Sequence, residues 1–73
     1  MEQYQVNIWE ERDRVGIWVT DDRSGDVVFE VWDDNVRQMF EDGFIKPGKE
    51  LKDSILSYLR ERKMIREKGG RIR

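Results

Sequence analysis

Any chemistry done by this chain is done without imidazole or thiol, because the sequence contains no His and no Cys. That removes the usual general base, the thiolate nucleophile and zinc sites of the Cys/His kind. Carboxylates, ammonium groups and hydroxyls remain. Two adjacent acidic pairs, Asp21-Asp22 and Asp33-Asp34, carry the oxygen ligands that Ca²⁺ or Mg²⁺ takes. Their spacing is not that of an EF-hand loop, and neighbouring carboxylates at a strand end point apart. Turn and helix-cap roles are therefore expected of both pairs, and no metal. Ser24 falls in a turn, while Ser54 and Ser57 fall in a helical stretch with no base beside them. Lys46-Pro47-Gly48-Lys49 lacks the glycine spacing of a phosphate-binding loop. A chain of 73 residues also leaves little room for a concave pocket. The expectation is a protein that is not an enzyme, holds no cofactor and works by binding.

Two groups of residues have the chemistry for binding. The first is Trp9, Trp18 and Trp32, all the tryptophans of the chain, with Val28 at matching parity. Clustered exposed indoles suit a protein partner or a second copy of the chain, since Trp is enriched where interfaces concentrate their energy. They also suit base stacking, but stacking on nucleic acid needs Lys and Arg beside the rings to neutralise phosphate. Glu30 and the amides of Gln5 and Asn7 share the indoles' parity instead, and Glu10, Glu11, Asp21, Asp22 and Asp26 flank them. The second group is basic: Arg60, Arg62, Lys63, Arg66, Lys68, Arg71 and Arg73 stand against only Glu61 and Glu67, a local balance of +5. Such a run could contact phosphate, which makes a nucleic-acid-binding accessory domain the alternative. A helix C-terminus favours cations in any case.

The elements that must position these residues follow from periodicity. Tyr4, Val6 and Ile8 alternate with Gln5, Asn7 and Trp9. Val15, Ile17 and Val19 alternate with Gly16, Trp18 and Thr20, and Val27, Phe29 and Val31 alternate with Val28, Glu30 and Trp32. Period two with β-branched and aromatic residues predicts three strands, each with one buried face. A tight turn near Arg12 and Asp13 sets Ile8 opposite Ile17 and Val6 opposite Val19. A turn closed by Gly25 sets Val19 near Phe29 and Ile17 near Val31. Tyr4, Val6, Ile8, Val15, Ile17, Val19, Val27, Phe29 and Val31 then share the core face. A slip of one residue would expose them all. Trp9 and Trp18 are expected as near neighbours on the reverse.

Helical spacing takes over after Trp32. Asp33 and Asp34 are suited to cap a short helix carrying Val36, Met39 and Phe40, with Phe44 on the same side and Gly43 as its stop. Pro47 and Gly48 mark the break before a longer helix that starts at Lys49. Its stripe is Leu51, Ile55, Tyr58, Leu59 and Ile65, joined by Arg62, and Gly69-Gly70 is its expected end. The predicted fold is α+β: a three-stranded antiparallel β-meander with two C-terminal helices packed on one face, β-β-β-α-α in two layers. Residues 1–73 are read as one domain, with 69–73 a flexible tail.

Size and charge limit what such a domain can be. A chain this short buries only about 60% of the surface it exposes when unfolded, so its core is small. Charged residues make up 41% of it, yet three Trp, three Phe and two Tyr distinguish it from a disordered chain. Residues 1–45 carry twelve acidic and four basic side chains, a balance of −8, and residues 46–73 carry four acidic and ten basic, a balance of +6. This asymmetry bears on partners and orientation. No apolar run approaches the ~20 residues of a membrane span, and Met1-Glu2-Gln3-Tyr4 has neither the basic nor the apolar part of a secretory signal. A cytoplasmic protein that does not engage membranes is expected.

Overall fold

The computed structural model describes residues 3–65. Three strands, β1 (Tyr4–Glu11), β2 (Arg14–Asp21) and β3 (Val27–Trp32), are followed by two helices, α1 (Asp34–Glu41) and α2 (Leu51–Glu61), with one 3₁₀ turn at Gly48–Glu50 between them. The strands form one antiparallel sheet in the order β1-β2-β3, which is the α+β arrangement that the periodicity implies. Val6 pairs with Val19 and Ile8 with Ile17, while Val31 pairs with Ile17 and Phe29 with Val19. The first hairpin closes through Arg12 and Asp13, with Arg12 at φ 45°. A positive φ at the first central residue matches the twist of the flanking strands. In the second hairpin Gly25 takes φ 78° and donates its N–H to the Asp21 carbonyl at 2.7 Å.

One face of the sheet supplies Tyr4, Val6, Ile17 and Val19 to the core, which Val36 of α1, Ile55, Leu56 and Leu59 of α2, and Ile45 and Ile65 complete. The parity argument therefore places the core on the expected face. It fails at three strand residues. A β-bulge lies where Val19 and Thr20 meet Phe29 and Val27, so Val28 is the extra residue on β3. Alternation breaks at a bulge. Val28, expected on the reverse face, packs against the core, and Val27, expected in the core, is 51% exposed. Ile8 has core parity but is 43% exposed. The buried residues of β1 are Tyr4 and Val6, and Ile8 lies one step further along, beyond the helical cover.

Of the two helices, one ends where periodicity suggests and the other ends earlier. α1 stops as expected at Gly43, which sits at φ 80° and donates to Phe40, while Phe44 N–H reaches back to the Met39 carbonyl. This is a Schellman closure. α2 stops in the same way at Lys63, not at Gly69-Gly70. Lys63 adopts φ 59°, its N–H meets the Arg60 carbonyl, and Met64 N–H meets the Leu59 carbonyl at 2.9 Å. At 3.6 residues per turn, a continued helix would carry Ile65 roughly 120° away from the seam of Ile55, Leu56 and Leu59. Leaving the helix lets Ile65 turn into the core, where it is buried. Gly69, Gly70 and the expected tail lie outside the described residues. Leu56 and Ile45, which the stripe did not include, are both buried.

Asp33 occupies the N-cap position of α1, but its carboxylate does not cap that helix. It turns back to β2, accepting the Val15 N–H at 3.1 Å and the Arg14 guanidinium at 3.1 Å. Its own N–H meets the Val15 carbonyl at 2.8 Å. Asp33 holds φ 50° and ψ −116°, a conformation costly for a residue with a Cβ. These three bonds hold it there, and the reversal they fix sends α1 back over the sheet. Asp34 pairs instead with Arg37, one turn along.

Candidate functional site

The sheet face opposite the helices carries the indoles. Gly16 pairs with Trp9 on one side and with Trp32 on the other, so these three residues form one row across the sheet. Gly16 has no side chain, and the Trp32 ring lies down into the space. A Cβ built on Gly16 would stand 2.0 Å from Cζ3 of Trp32. A glycine in mid-strand leaves backbone uncovered; here the Trp32 ring covers it, and Gly16 is buried.

Trp32 is the centre of the cluster. Its ring stacks on Trp18 with centroids 5.9 Å apart and planes at 15°. Trp9 meets it edge-on, with centroids at 6.2 Å and planes at 64°. Both geometries suit the aromatic quadrupole. The neighbour relation expected between Trp9 and Trp18 is therefore replaced by two contacts that each run through Trp32, because Trp9 faces the bare Gly16 and Trp32 fills the gap. The Trp32 Nε1–H donates to Glu30 Oε1 at 2.8 Å, which satisfies the indole and holds the carboxylate. Beside this ladder the Asn7 side-chain amide lies 3.3 Å from the Trp18 carbonyl and 3.4 Å from the Thr20 hydroxyl. Packing does not hide the rings: Trp9 is 40% and Trp32 36% exposed, and Trp18 is half-buried. No described helix covers this face.

Of the expected partner-binding residues, the structure brings Trp9, Trp18 and Trp32 together and takes Val28 away to the core. Gly16 is the position that sequence reasoning passed over. Its signal was a glycine inside a strand rich in β-branched residues.

The basic residues are less uniform than a cationic helix face would be. Arg60 is half-buried in the last turn of α2. Arg62 places its guanidinium 4.6 Å from the Tyr58 ring centroid and 5.2 Å from that of Phe44. Tyr58 also touches Phe29 at 6.2 Å between centroids, so this cation closes an aromatic cluster at the edge of the core. Lys63 is the left-handed residue at the helix end. Arg66, Lys68, Arg71 and Arg73 lie outside the described residues.

The acidic pairs act locally. The Asp21 carboxylate accepts the Arg23 N–H at 2.8 Å and so shapes the turn. Asp33 is held below the ordinary carboxylate range, first by the Val15 N–H and then by the Arg14 guanidinium. Among the described residues no three carboxylates converge as a metal site would require. Among them, too, no helix is long and apolar enough to cross a membrane. Compared with protein families, curated proteins and solved structures, the chain matches none of them.

Proposed function

We propose that this chain is a non-enzymatic association domain that docks a protein surface with its outer sheet face, and that the occupant is a second copy of itself. The observation that carries the proposal is the ladder Trp9–Trp32–Trp18, built over Gly16 and left open to solvent. Rigid indoles lose little conformational freedom on binding, and a pre-packed set loses less still. The face carries few charges. Glu30 is engaged by Trp32, and Glu11 stands opposite Arg14 at the hairpin end, so the charges on the face are already matched and two such faces can meet with limited desolvation of charge.

Three strands about 4.8 Å apart and about 27 Å long give a face of roughly 400 Å². A standard interface buries about 800 Å² per partner, so the dimer is weak and depends on concentration.

Sedimentation equilibrium across a wide concentration range tests the proposal. The expected result is a monomer–dimer equilibrium that Trp9→Lys shifts to monomer while the circular dichroism of the fold is unchanged. A monomer at all concentrations, with indoles equally quenched by acrylamide throughout, refutes self-association. The basic residues Arg60, Arg62 and Lys63, with Arg66, Lys68, Arg71 and Arg73, carry the alternative, nucleic-acid binding. Affinity for DNA or RNA that falls steeply with salt would favour it.

A further inference from the structure

The sheet has a second open feature, independent of the indole ladder. β3 is an edge strand. Asp33 N–H bonds inward to Val15 of β2, and antiparallel pairing alternates. Val31 and Phe29 therefore also bond inward, and the backbone N–H and C=O of Glu30 and Trp32 point to the free edge. None of the described residues pairs with them there.

Beside that edge runs a slot between β3 and α1. Its apolar lining comes from Phe29 and Val31 of the strand, Met39 of α1, and Phe44 and Tyr58. The α1 wall is formed by Asn35, Gln38 and Asp42 around Met39, residues spaced as one helical face. Phe44 is 42% exposed at the slot's end. The charged side chains in the lining, Glu30 and Asp42, are both acidic.

We propose that this slot takes an extended protein segment that adds to β3 as a fourth strand, with alternate apolar side chains entering the slot and basic side chains on the other face beside Glu30 and Trp32. Three features select that occupant. Unpaired edge groups require a backbone that can pair with them, which is how strand addition gains affinity. An added strand sends every second side chain toward the slot. The acidic lining, with the Trp32 ring next to Glu30, selects Lys or Arg for the intervening positions. The bulge at Val28 ends the usable edge on one side and the Asp33 reversal ends it on the other, so the segment is short.

The probe is the acetylated, amidated peptide Lys-Val-Lys-Ile-Lys-Val-Lys, titrated into the isotope-labelled full chain and followed by NMR. Expected are shifts and slowed hydrogen exchange at the Glu30 and Trp32 amides, with shifts of the Met39 methyl. Methylating the peptide's backbone nitrogens at either its Val/Ile or its Lys positions separates strand addition from other binding. One of these two peptides should lose at least tenfold in affinity and the other should bind like the parent. Met39→Glu, which puts a carboxylate in the slot floor, should also weaken binding at least tenfold. If that variant does not fold, the methylated pair still decides. No shifts at millimolar peptide, equal binding by the two methylated peptides, or shifts confined to Trp9 and Trp18 would overturn the proposal.

Discussion

Gly16→Ala is the perturbation that reads the indole ladder most sharply. The added methyl would stand 2.0 Å from Cζ3 and 2.3 Å from Cε3 of Trp32, so the ring must leave its place. In leaving, it gives up the stack on Trp18 and the edge contact with Trp9, both of which run through it. Each aromatic pair contributes about 0.5–1.5 kcal/mol beyond area burial, which puts the loss near 2 kcal/mol. Replacing glycine by alanine in a strand returns about 0.5–1 kcal/mol through the unfolded chain's lost freedom. The net destabilisation is about 1–1.5 kcal/mol. In a domain of this size that lowers Tm by roughly 4–12 °C.

The control is the same change in a Trp32→Ala background. With no ring over Gly16, the clash with Trp32 is gone and the entropic gain dominates, so Gly16→Ala should be neutral or stabilising there. Urea unfolding followed by tryptophan fluorescence and by circular dichroism gives the four stabilities of this double-mutant cycle. Equal destabilisation of both backgrounds by Gly16→Ala, or stabilisation of the parent, would show that the Trp32 ring does not occupy the space over Gly16.

Three further outcomes follow from the geometry. Lys63→Gly should raise stability by about 1 kcal/mol, because Lys63 is held at φ 59°, a left-handed backbone that glycine adopts freely; were α2 continuous through Lys63, the same change would lower stability by about as much, so thermal melts decide by sign. Asp33 titrates below the ordinary carboxylate range, so its contribution is fully present above the unfolded value and is lost as pH falls through the lowered folded one; unfolding measured from pH 6 to pH 2 should show Asp33→Asn less stable than the parent at pH 6, the gap narrowing in acid. Arg62→Ala should cost about 0.5–1 kcal/mol through the lost contact with the Tyr58 and Phe44 rings, with little dependence on salt, and a change in tyrosine emission is its readout.

Strand parity, the pairing register and the face that the helices cover were all legible in the sequence, because a period of two leaves one choice per strand and burial decides it. Val27 and Val28 were not legible: a bulge adds a residue without any change of residue type, and Val-Val satisfies either face. The end of α2 was hidden for a related reason. Gly69-Gly70 is a strong stop signal, but the chain turns earlier, at a lysine, since the position of Ile65 relative to the core outweighs the cost of one left-handed residue. Asp33 has the type of an N-cap, and only the proximity of Arg14 and Val15 across the sheet redirects its carboxylate. The clustering of the indoles followed from parity; that Trp32 lies at their centre depended on Gly16, whose missing side chain acts at a distance in sequence.

The central claim is that the outer sheet face meets its own copy. A mixed sample of isotope-labelled and unlabelled chains at high concentration, read for NOEs between differently labelled molecules, tests it directly. Intermolecular cross-peaks are expected from the Trp9 and Trp32 indole protons to Gln5, Asn7 and Thr20 of the other copy. Intermolecular cross-peaks that involve only α1 or α2, or none at a concentration where dimer is detected, would contradict it.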